Sequence, residues 1–437
     1  MRKIIKPALK YIVVYIILIV LFVVSLTISS LFPSEWIKEN VAKSANILES
    51  ESNYKQVNVF YKGVAIPFDN YTDALMLNTA YSIDNARPLY SAFTARKNYI
   101  PGETNTVIEE TAGELQVPSG YDKKDSVAEL KDTVNGRVLE SFEYGRYWHG
   151  YLTIIRPLLI IFNIHTIRVI FIILFVVLAA ILLYMIYKKI NLITAVIFLI
   201  GLTYVEYFYI GFSLQGAFVF FIMMISAIII LKRYDKIKSF PFVFFMIGMF
   251  ANFFDLLTAP ILTLGIPMII YFLLKNREQE LSIKEYILKI ASLSIAWGIG
   301  YALAWLAKWA LLDIIYHKDI FDEVFNQISY RSVGEGDISF LEVLKLNYRY
   351  VIGGVIISLI AIYIYTMVKG LSNYKLKIEP SKKIIPFLVI ALIPFVWYFV
   401  LQNHSYYHSY FTYRNLVLTL IGIPLCILPI IKFNKKV

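Results

Sequence analysis

The first residues whose types and spacing suggest chemistry are two carboxylates in the segment FDNYTDALMLN. Asp69 and Asp73 are four residues apart, so on a helix both side chains lie on one face. Paired carboxylates bind a divalent cation, or one acts as a general base while the other tunes it. The alternative is structural, because Asp69 would cap a helix over 70–80 and Asp73 would favour its N-terminal dipole.

A second group lies in ESFEYGRYWHGYLTIIRPLL, residues 140–159, and contains Arg146, His149 and Arg156. Arginine makes bidentate contacts with anionic oxygens, so this group suits the phosphate of a lipid-linked substrate. Aromatic residues with arginine also anchor proteins at a membrane interface, and the sequence leaves both interpretations open.

A third group, QNHSYYHSYFTYRN (402–415), combines His404 and His408 at i,i+4 spacing with Arg414 and four tyrosines. The spacing permits metal binding, but no HExxH glutamate accompanies it, which disfavours a zinc protease. Aromatic faces suit a sugar, and imidazole and guanidinium groups suit phosphate. An aromatic belt at the headgroup level is the structural alternative.

Ionisable residues also occur within or at the edges of apolar segments, where they are costly and mark functional or paired sites. Asp255 in NFFDLLTAP is one, and we predict that it contacts substrate. Glu206 and Lys308 are others, and for these residues structural pairing remains open.

The composition shows which elements must position these residues. The chain has 437 residues, of which 58% are hydrophobic and only 17% charged, with a mean hydropathy of +0.64. A soluble protein of this length carries about 25% charged residues. One cysteine, Cys426, excludes a disulfide framework. The sequence therefore predicts an all-α polytopic membrane protein.

Apolar blocks of about 20 residues give the spans. After a first block at 11–32, nine more follow at 165–187, 191–212, 215–231, 239–256, 258–274, 289–312, 346–368, 383–402 and 415–431. More than half of the 42 Lys and Arg residues lie at the N-terminus and in alternate connections, which predicts about ten helices with both termini inside. The net charge of +11 is thus topogenic, and no nucleic-acid partner is expected.

This topology divides the chain into three parts. Residues 1–32 form a signal-anchor helix, residues 33–164 an extracytoplasmic region ending in an interfacial helix at 151–163, and residues 165–437 a bundle of nine helices with outer loops at 313–345 and 403–414. All the groups described above then lie on the extracytoplasmic side of the cell membrane. The inner loops lack a phosphate-binding GxxxxGK[ST] motif.

The segments FDNYTDALMLN, RYWHGYLTIIRPLL, FFDLLTAPILTLGIP and NHSYYHSYFTYRN resemble those of bacterial integral-membrane glycosyltransferases of the GT-C superfamily. The order of one helix, a large outer loop with acidic residues, further spans and a late His/Tyr/Arg cluster is also similar to that superfamily. The resemblance implies transfer of a sugar from a polyprenyl-phosphate carrier to a cell-envelope glycan or lipid, with inversion.

By the same resemblance, Asp69 or Asp73 supplies the base, and Arg146, His149, Arg156, Asp255, His404, His408 and Arg414 bind substrate. A divalent cation, Mg²⁺ or Mn²⁺, is the only cofactor suggested. Membrane lipids are further partners. Two alternatives remain: a transporter or flippase of lipid-linked saccharides, which would use Glu206, Asp255 and Lys308 along an inner path, and an envelope scaffold without chemistry.

Overall fold

The computed structural model describes residues 2–58, 65–99, 125–137, 140–318, 320–332, 338–371 and 374–435. These residues are mostly helical. The helices are α1 (Arg2–Leu31), α2 (Lys38–Glu51), α3 (Asn70–Tyr81), α4 (Pro88–Thr94), α5 (Ser126–Val134), α6 (Leu152–Ile161), α7 (Ile164–Lys189), α8 (Leu192–Tyr204), α9 (Leu214–Arg233), α10 (Phe240–Phe254), α11 (Leu262–Glu278), α12 (Ile283–Tyr316), α13 (Phe321–Ser332), α14 (Phe340–Tyr348), α15 (Gly354–Leu371), α16 (Ile385–Val400), α17 (Gln402–Tyr407), α18 (Ser409–Thr412) and α19 (Val417–Ile427).

Three two-stranded antiparallel ribbons complete the described fold. They pair β1 (Gln56–Asn58) with β2 (Ala65–Pro67), β3 (Lys97–Tyr99) with β4 (Glu140–Phe142), and β5 (Tyr374–Ile378) with β6 (Ile431–Lys435). The first two ribbons belong to the polar segment after α1. The third joins the ends of α15 and of the last apolar segment.

Seven helices among the described residues are long and apolar enough to cross a membrane, as expected of a polytopic membrane protein. They include all of α7, α9, α12 and α15 and most of α1. Apolar helices α8 and α10 have 13 and 15 residues and reach only about 20 Å, less than a bilayer core of about 30 Å. The count of ten helices, and the sidedness, stay predictions.

An ionisable residue lies just beyond each of these two short helices. After α8 the backbone of Glu206 takes a left-handed conformation, with φ of 51°, and a 3-10 turn at Tyr207–Phe212 follows. Helix α10 ends at Asp255, and Thr258 and Pro260 follow before α11 begins. Irregular backbone within membrane depth is tolerated where it is buried in protein or lines a cavity.

The lysine-rich connections gather at one end of the bundle, which we call the basic end. There Lys10 lies over the ring of Phe242, and Phe240 packs against Tyr271 near the end of α11. The Asn276 side chain donates to the Lys383 carbonyl at 3.2 Å, which brings the start of α16 to the same end. The described residues of the polar segment 33–149 lie at the opposite end, which we call the polar end.

Two buried cations join this polar segment to the apolar helices. Arg156 in α6 is fully buried and donates to the carbonyls of Ser29, Phe32 and Ala80. Ser29 and Ala80 lie in the last turns of α1 and α3, and Phe32 directly follows α1. Lys308 in α12, also fully buried, donates to the Phe93 carbonyl at 2.6 Å in the last turn of α4. Each cation thus satisfies carbonyls at a helix C-terminus, where positive charge is favourable.

Close packing of α10 on α12 depends on two glycines. A Cβ atom at Gly248 would lie 2.1 Å from the Trp297 carbonyl oxygen, and one at Gly300 would lie 2.1 Å from the Phe245 oxygen. Small residues let helix backbones approach in this way in membranes. The pair therefore fixes the distance between α10, which leads to Asp255, and α12.

This packing predicts that Gly300→Ala lowers the free energy of unfolding by about 1–3 kcal/mol, because its methyl group meets backbone that cannot move aside. Gly298→Ala is the matched control, since nothing lies within 4 Å of its Cβ position on the same helix. Thermal unfolding of the two variants in detergent measures the difference. Equal melting temperatures would contradict the packing argument.

Candidate functional site

Asp69 occupies the N-cap position of α3, directly after β2. Its carboxylate accepts hydrogen bonds from the Thr72 backbone N–H (3.0 Å) and hydroxyl (2.8 Å). The predicted cap is therefore present. The side chain is only 6% exposed, and burial raises its pKa to about 7, against the opposing effects of the Thr72 hydrogen bonds and the Arg414 charge. A carboxylate with that pKa is suited to proton abstraction near neutral pH.

Asp73 is held in a buried ion pair instead. Its Oδ2 accepts from the Arg168 guanidinium of α7 at 3.0 Å, and Oδ1 accepts from the Leu214 N–H at the start of α9 at 2.8 Å. The same guanidinium also donates to Glu51 and Asn70. Asp73 is fully buried, so its two oxygens serve to join three helices.

A cavity of about 530 Å³ opens between this region, α13 and the α17–α18 segment. Lys97, Arg146 and Arg331 are the cations among its described lining residues, and His404 and His408 are the imidazoles. No carboxylate is part of that described lining. The aromatic lining residues are Tyr71, Tyr99, Phe142, Tyr144, Tyr330, Tyr410 and Phe411. The cavity is therefore cationic, with aromatic faces.

His404 connects the floor of this cavity to Arg331. Its Nε2–H donates to the Leu257 carbonyl at 2.9 Å, and its Nδ1 accepts from the Arg331 guanidinium at 2.8 Å. Because an imidazole that accepts from a guanidinium must be neutral at that nitrogen, His404 is a neutral ring that orients Arg331. Burial, aided by the nearby Arg331 charge, lowers the pKa of His404 far below its usual value.

His408 lies beside His404, with 4.7 Å between the ring centroids, and stacks on Phe411 at 5.0 Å. Burial and the Arg331 charge lower the pKa of His408 to about 3, so this imidazole is also neutral. Neutral imidazoles donate or accept hydrogen bonds to a ligand without adding charge. The predicted His404/His408 pair is thus brought to the cavity wall.

Arg146 reaches the cavity from the segment before α6. It donates to Glu323 of α13 at 2.9 Å and to the Tyr144 hydroxyl at 3.2 Å, and it lies 4.5 Å from the Tyr144 ring centroid. Its positive charge is partly balanced by Glu323. Lys97 is similarly paired with Glu129 at 2.9 Å. Arg331, in contrast to Arg146 and Lys97, has no carboxylate partner among the described residues.

Asp69 and Arg414 meet in a smaller space next to the large cavity. This slot holds about 20 Å³, room for roughly one water molecule. Gln215, Tyr410 and Phe411 line both spaces. Thr72, which donates to Asp69, also lines the large cavity. The early carboxylate and the late His/Arg cluster therefore converge, although they are more than 300 positions apart.

Three of the predicted substrate contacts, His149, Arg156 and Asp255, lie outside both linings and contact groups of the protein itself. His149, with φ of 56°, donates from Nε2 to the Tyr144 carbonyl at 2.7 Å and accepts from the Tyr151 hydroxyl. Arg156 binds the carbonyls described above. Asp255 accepts from the backbone N–H (2.9 Å) and hydroxyl of Thr258 and so shapes the turn that presents Leu257.

Two arginines that are important here carry no strong signal in the sequence. Arg331 lies in the outer loop predicted at 313–345, and only its contact with His404 in the structure makes it informative. Arg168 lies four residues inside a predicted span, and its cost in lipid is a signal for a buried partner. That partner, Asp73, is 95 positions away.

The suggested divalent cation has no cluster of ligands in the part of the chain that the structure describes. There, no group of three or more His, Cys, Asp or Glu side chains is placed to hold a metal ion. The two oxygens of Asp73 are already engaged by a guanidinium and backbone N–H groups. Metal dependence stays an untested prediction.

The ion pair predicts that Arg168→Leu destabilises the protein by about 3–5 kcal/mol, because it leaves the buried Asp73 carboxylate without its cation. Lys43→Leu removes the exposed pair with Glu39 on α2 and should leave the stability nearly unchanged. Thermal unfolding in detergent compares the two. An Arg168 variant as stable as the Lys43 variant would exclude this role for Asp73.

The chain matches no family model, no curated protein and no solved structure. Membership of a glycosyltransferase family is therefore not shown, and the resemblance of the four segments stands alone. The function is inferred from the geometry of the two connected spaces.

Proposed function

We propose that this protein is a membrane glycosyltransferase that moves a sugar from a polyprenyl-phosphate carrier to a hydroxyl of a cell-envelope glycan or lipid. One observation carries the proposal. A buried carboxylate, Asp69, with a pKa near 7, lies beside a cationic, aromatic cavity that includes Arg331 and two neutral histidines. General base and phosphate-binding groups are the two requirements of such a transfer.

The size and lining of the cavity suit a phosphorylated sugar. Its volume of about 530 Å³ lies within the range of small-molecule sites, roughly 300–1,000 Å³. Tyr410 and Phe411 offer aromatic faces next to the Asp69 slot, and Gln215 offers an amide between the two spaces. Apolar sugar faces pack on aromatic rings, while amide and imidazole groups orient hydroxyls.

In the proposed step the acceptor hydroxyl oxygen attacks the anomeric carbon of the donor. Asp69 takes the hydroxyl proton as the new C–O bond forms. The bond from the anomeric carbon to the phosphate oxygen breaks, and its electron pair leaves with polyprenyl phosphate. Attack opposite to the leaving group inverts the anomeric configuration. Atoms and charge balance without an oxidant, a reductant or a nucleotide.

Arg331 is the group best placed to stabilise the leaving phosphate. Its guanidinium is oriented by His404 and has no carboxylate partner among the described residues, so its charge is available to a ligand. Arg146 adds a second guanidinium on the same cavity. Fixed cationic donors stabilise developing negative charge without reorganisation in the transition state.

Arg414 has a different role in this proposal. It shares the slot with Asp69, and its positive charge favours the ionised form of that carboxylate. The residue therefore tunes the base, whereas Arg331 faces the larger space. The predicted outer-face location of the reaction follows from the sequence and remains part of the proposal.

The proposal predicts that Asp69→Asn abolishes transfer, with kcat reduced at least about 100-fold, because the amide cannot accept the proton. For the wild type, the rate should rise with pH and level off above about pH 7, where Asp69 is deprotonated. Asp132→Asn is the control, since that carboxylate pairs at the surface with Arg137. Purified protein and a labelled polyprenyl-phosphate sugar provide the assay.

The same assay separates an enzyme from a transporter. Labelled product that forms in detergent, with no membrane gradient, supports transfer. Translocation of intact donor across vesicles, with no cleavage of the sugar–phosphate bond, would overturn the proposal. Full activity of a normally folded Asp69→Asn variant would remove Asp69 as the base.

Arg331→Gln should weaken binding of polyprenyl phosphate and lower kcat/KM by roughly 10- to 100-fold, because it removes a charge-assisted contact worth about 1.5–3 kcal/mol. Arg137→Gln, at an exposed ion pair, should leave both quantities unchanged. Inhibition of transfer by added polyprenyl phosphate measures the affinity. Unchanged inhibition in the Arg331 variant would contradict its assignment as the phosphate ligand.

A further inference from the structure

The ribbon formed by β5 and β6 at the basic end has two chemically different faces. Residues directly opposite each other in an antiparallel pair lie on the same face. The register pairs Leu376 with Phe433 and Ile378 with Ile431, and it pairs Lys377 with Lys432. One face is therefore apolar and the other basic.

The apolar face is uncovered at strand β5, whereas Ile431 and Phe433 of β6 are half-buried. Leu376 is 46% exposed and Ile378 is 70% exposed. Phe433 packs edge-on against Tyr365 of α15, with 5.9 Å between the ring centroids. The apolar face of the ribbon is therefore on the side of α15, the helix that precedes β5. Leu371, at the end of α15, is 87% exposed and continues the apolar surface. Such a surface needs an apolar environment to cover it.

Chain connectivity keeps the ribbon close to the edge of the membrane. Strand β5 begins three residues after Leu371, where one candidate span ends, and Ile378 lies four residues before Lys382, where the next begins. Strand β6 follows directly on Ile430, the end of a third candidate span. At about 3.3 Å per residue, the ribbon cannot move far from these three helix ends.

The positive charges of the lysines on the basic face are only partly neutralised by carboxylates of the protein. Lys377 pairs with Glu379 at 2.8 Å, and both are more than 40% exposed. Lys375 and Lys432, also exposed, make no ion pair within the described residues. Like charges directly opposite on a ribbon, as in Lys377 and Lys432, destabilise it unless an anion lies nearby.

We propose that this ribbon lies flat on the membrane surface and binds the headgroups of anionic phospholipids. Leu376, Ile378 and Phe433 enter the boundary of the acyl chains, while Lys375, Lys377 and Lys432 contact the lipid phosphates. An amphipathic element with an apolar face and a lysine face suits an anionic leaflet in both respects. The inference is independent of the proposed transfer reaction.

Site-specific fluorescence in vesicles tests the location of the ribbon. In a Cys426→Ser background, bimane is attached to Ile378→Cys on the apolar face or to Asn434→Cys on the basic face. We expect brominated acyl chains to quench the probe at 378, and aqueous iodide to quench the probe at 434. A probe at 378 that iodide quenches and brominated chains do not would overturn the proposal.

The same probe at 378 measures lipid preference in vesicles of equal parts phosphatidylcholine and phosphatidylglycerol, with one of the two brominated. We expect brominated phosphatidylglycerol to quench the probe more strongly than brominated phosphatidylcholine. Each of Lys375→Gln, Lys377→Gln and Lys432→Gln should lower this preference for phosphatidylglycerol roughly fivefold. The control removes three lysines of the same end outside the ribbon, Lys236, Lys238 and Lys284. Equal quenching by both lipids, or an equal loss in the control, would exclude headgroup binding.

Discussion

A single buried ion pair determines how the polar end of this protein is assembled. The Arg168 guanidinium of α7 and the first N–H group of α9 both converge on Asp73 of α3. A buried carboxylate is very costly without such partners, so the three helices cannot separate without exposing an uncompensated charge. Asp69 lies one helical turn earlier on α3. The pair therefore positions the candidate base as well as joining the helices.

The cations of this end, three of them buried and Arg331 half-buried, differ in the groups that they contact. Arg156 and Lys308 donate to backbone carbonyls at helix ends, and Arg168 donates to carboxylates. These contacts are all with groups of the protein itself. Arg331 instead contacts a neutral imidazole, which orients the guanidinium without cancelling its charge. A cation held in that way retains its attraction for an anionic ligand.

The turn after α10 connects Asp255 to the cavity through hydrogen bonds. Asp255 accepts from Thr258 and so holds a turn in which Leu257 has a φ of 67°. The Leu257 carbonyl accepts from His404, which leaves the other imidazole nitrogen to accept from Arg331. We predicted a substrate contact for Asp255, which stays a prediction, and the structure shows its contacts with the turn. Its effect on the cavity is exerted through the backbone.

Hydropathy and lysine placement in the sequence were sufficient to predict a helical membrane protein and the approximate position of its apolar blocks. The reason is that a bilayer requires long apolar helices with internally satisfied backbones, a requirement that each block meets locally. Sequence alone could not show that the backbone leaves the α-helical conformation near Glu206 and Asp255, inside two of the apolar blocks.

The i,i+4 spacing of Asp69 and Asp73 was compatible with one shared site, but the tertiary structure gave them different partners. Thr72 and the Arg414 charge act on the first, and Arg168 binds the second. The same holds for Arg156 and Arg331, which are identical in type and opposite in availability. Residue type and spacing determine what a side chain is able to do. Which partner neutralises it depends on contacts between distant segments, and only the folded chain decides those.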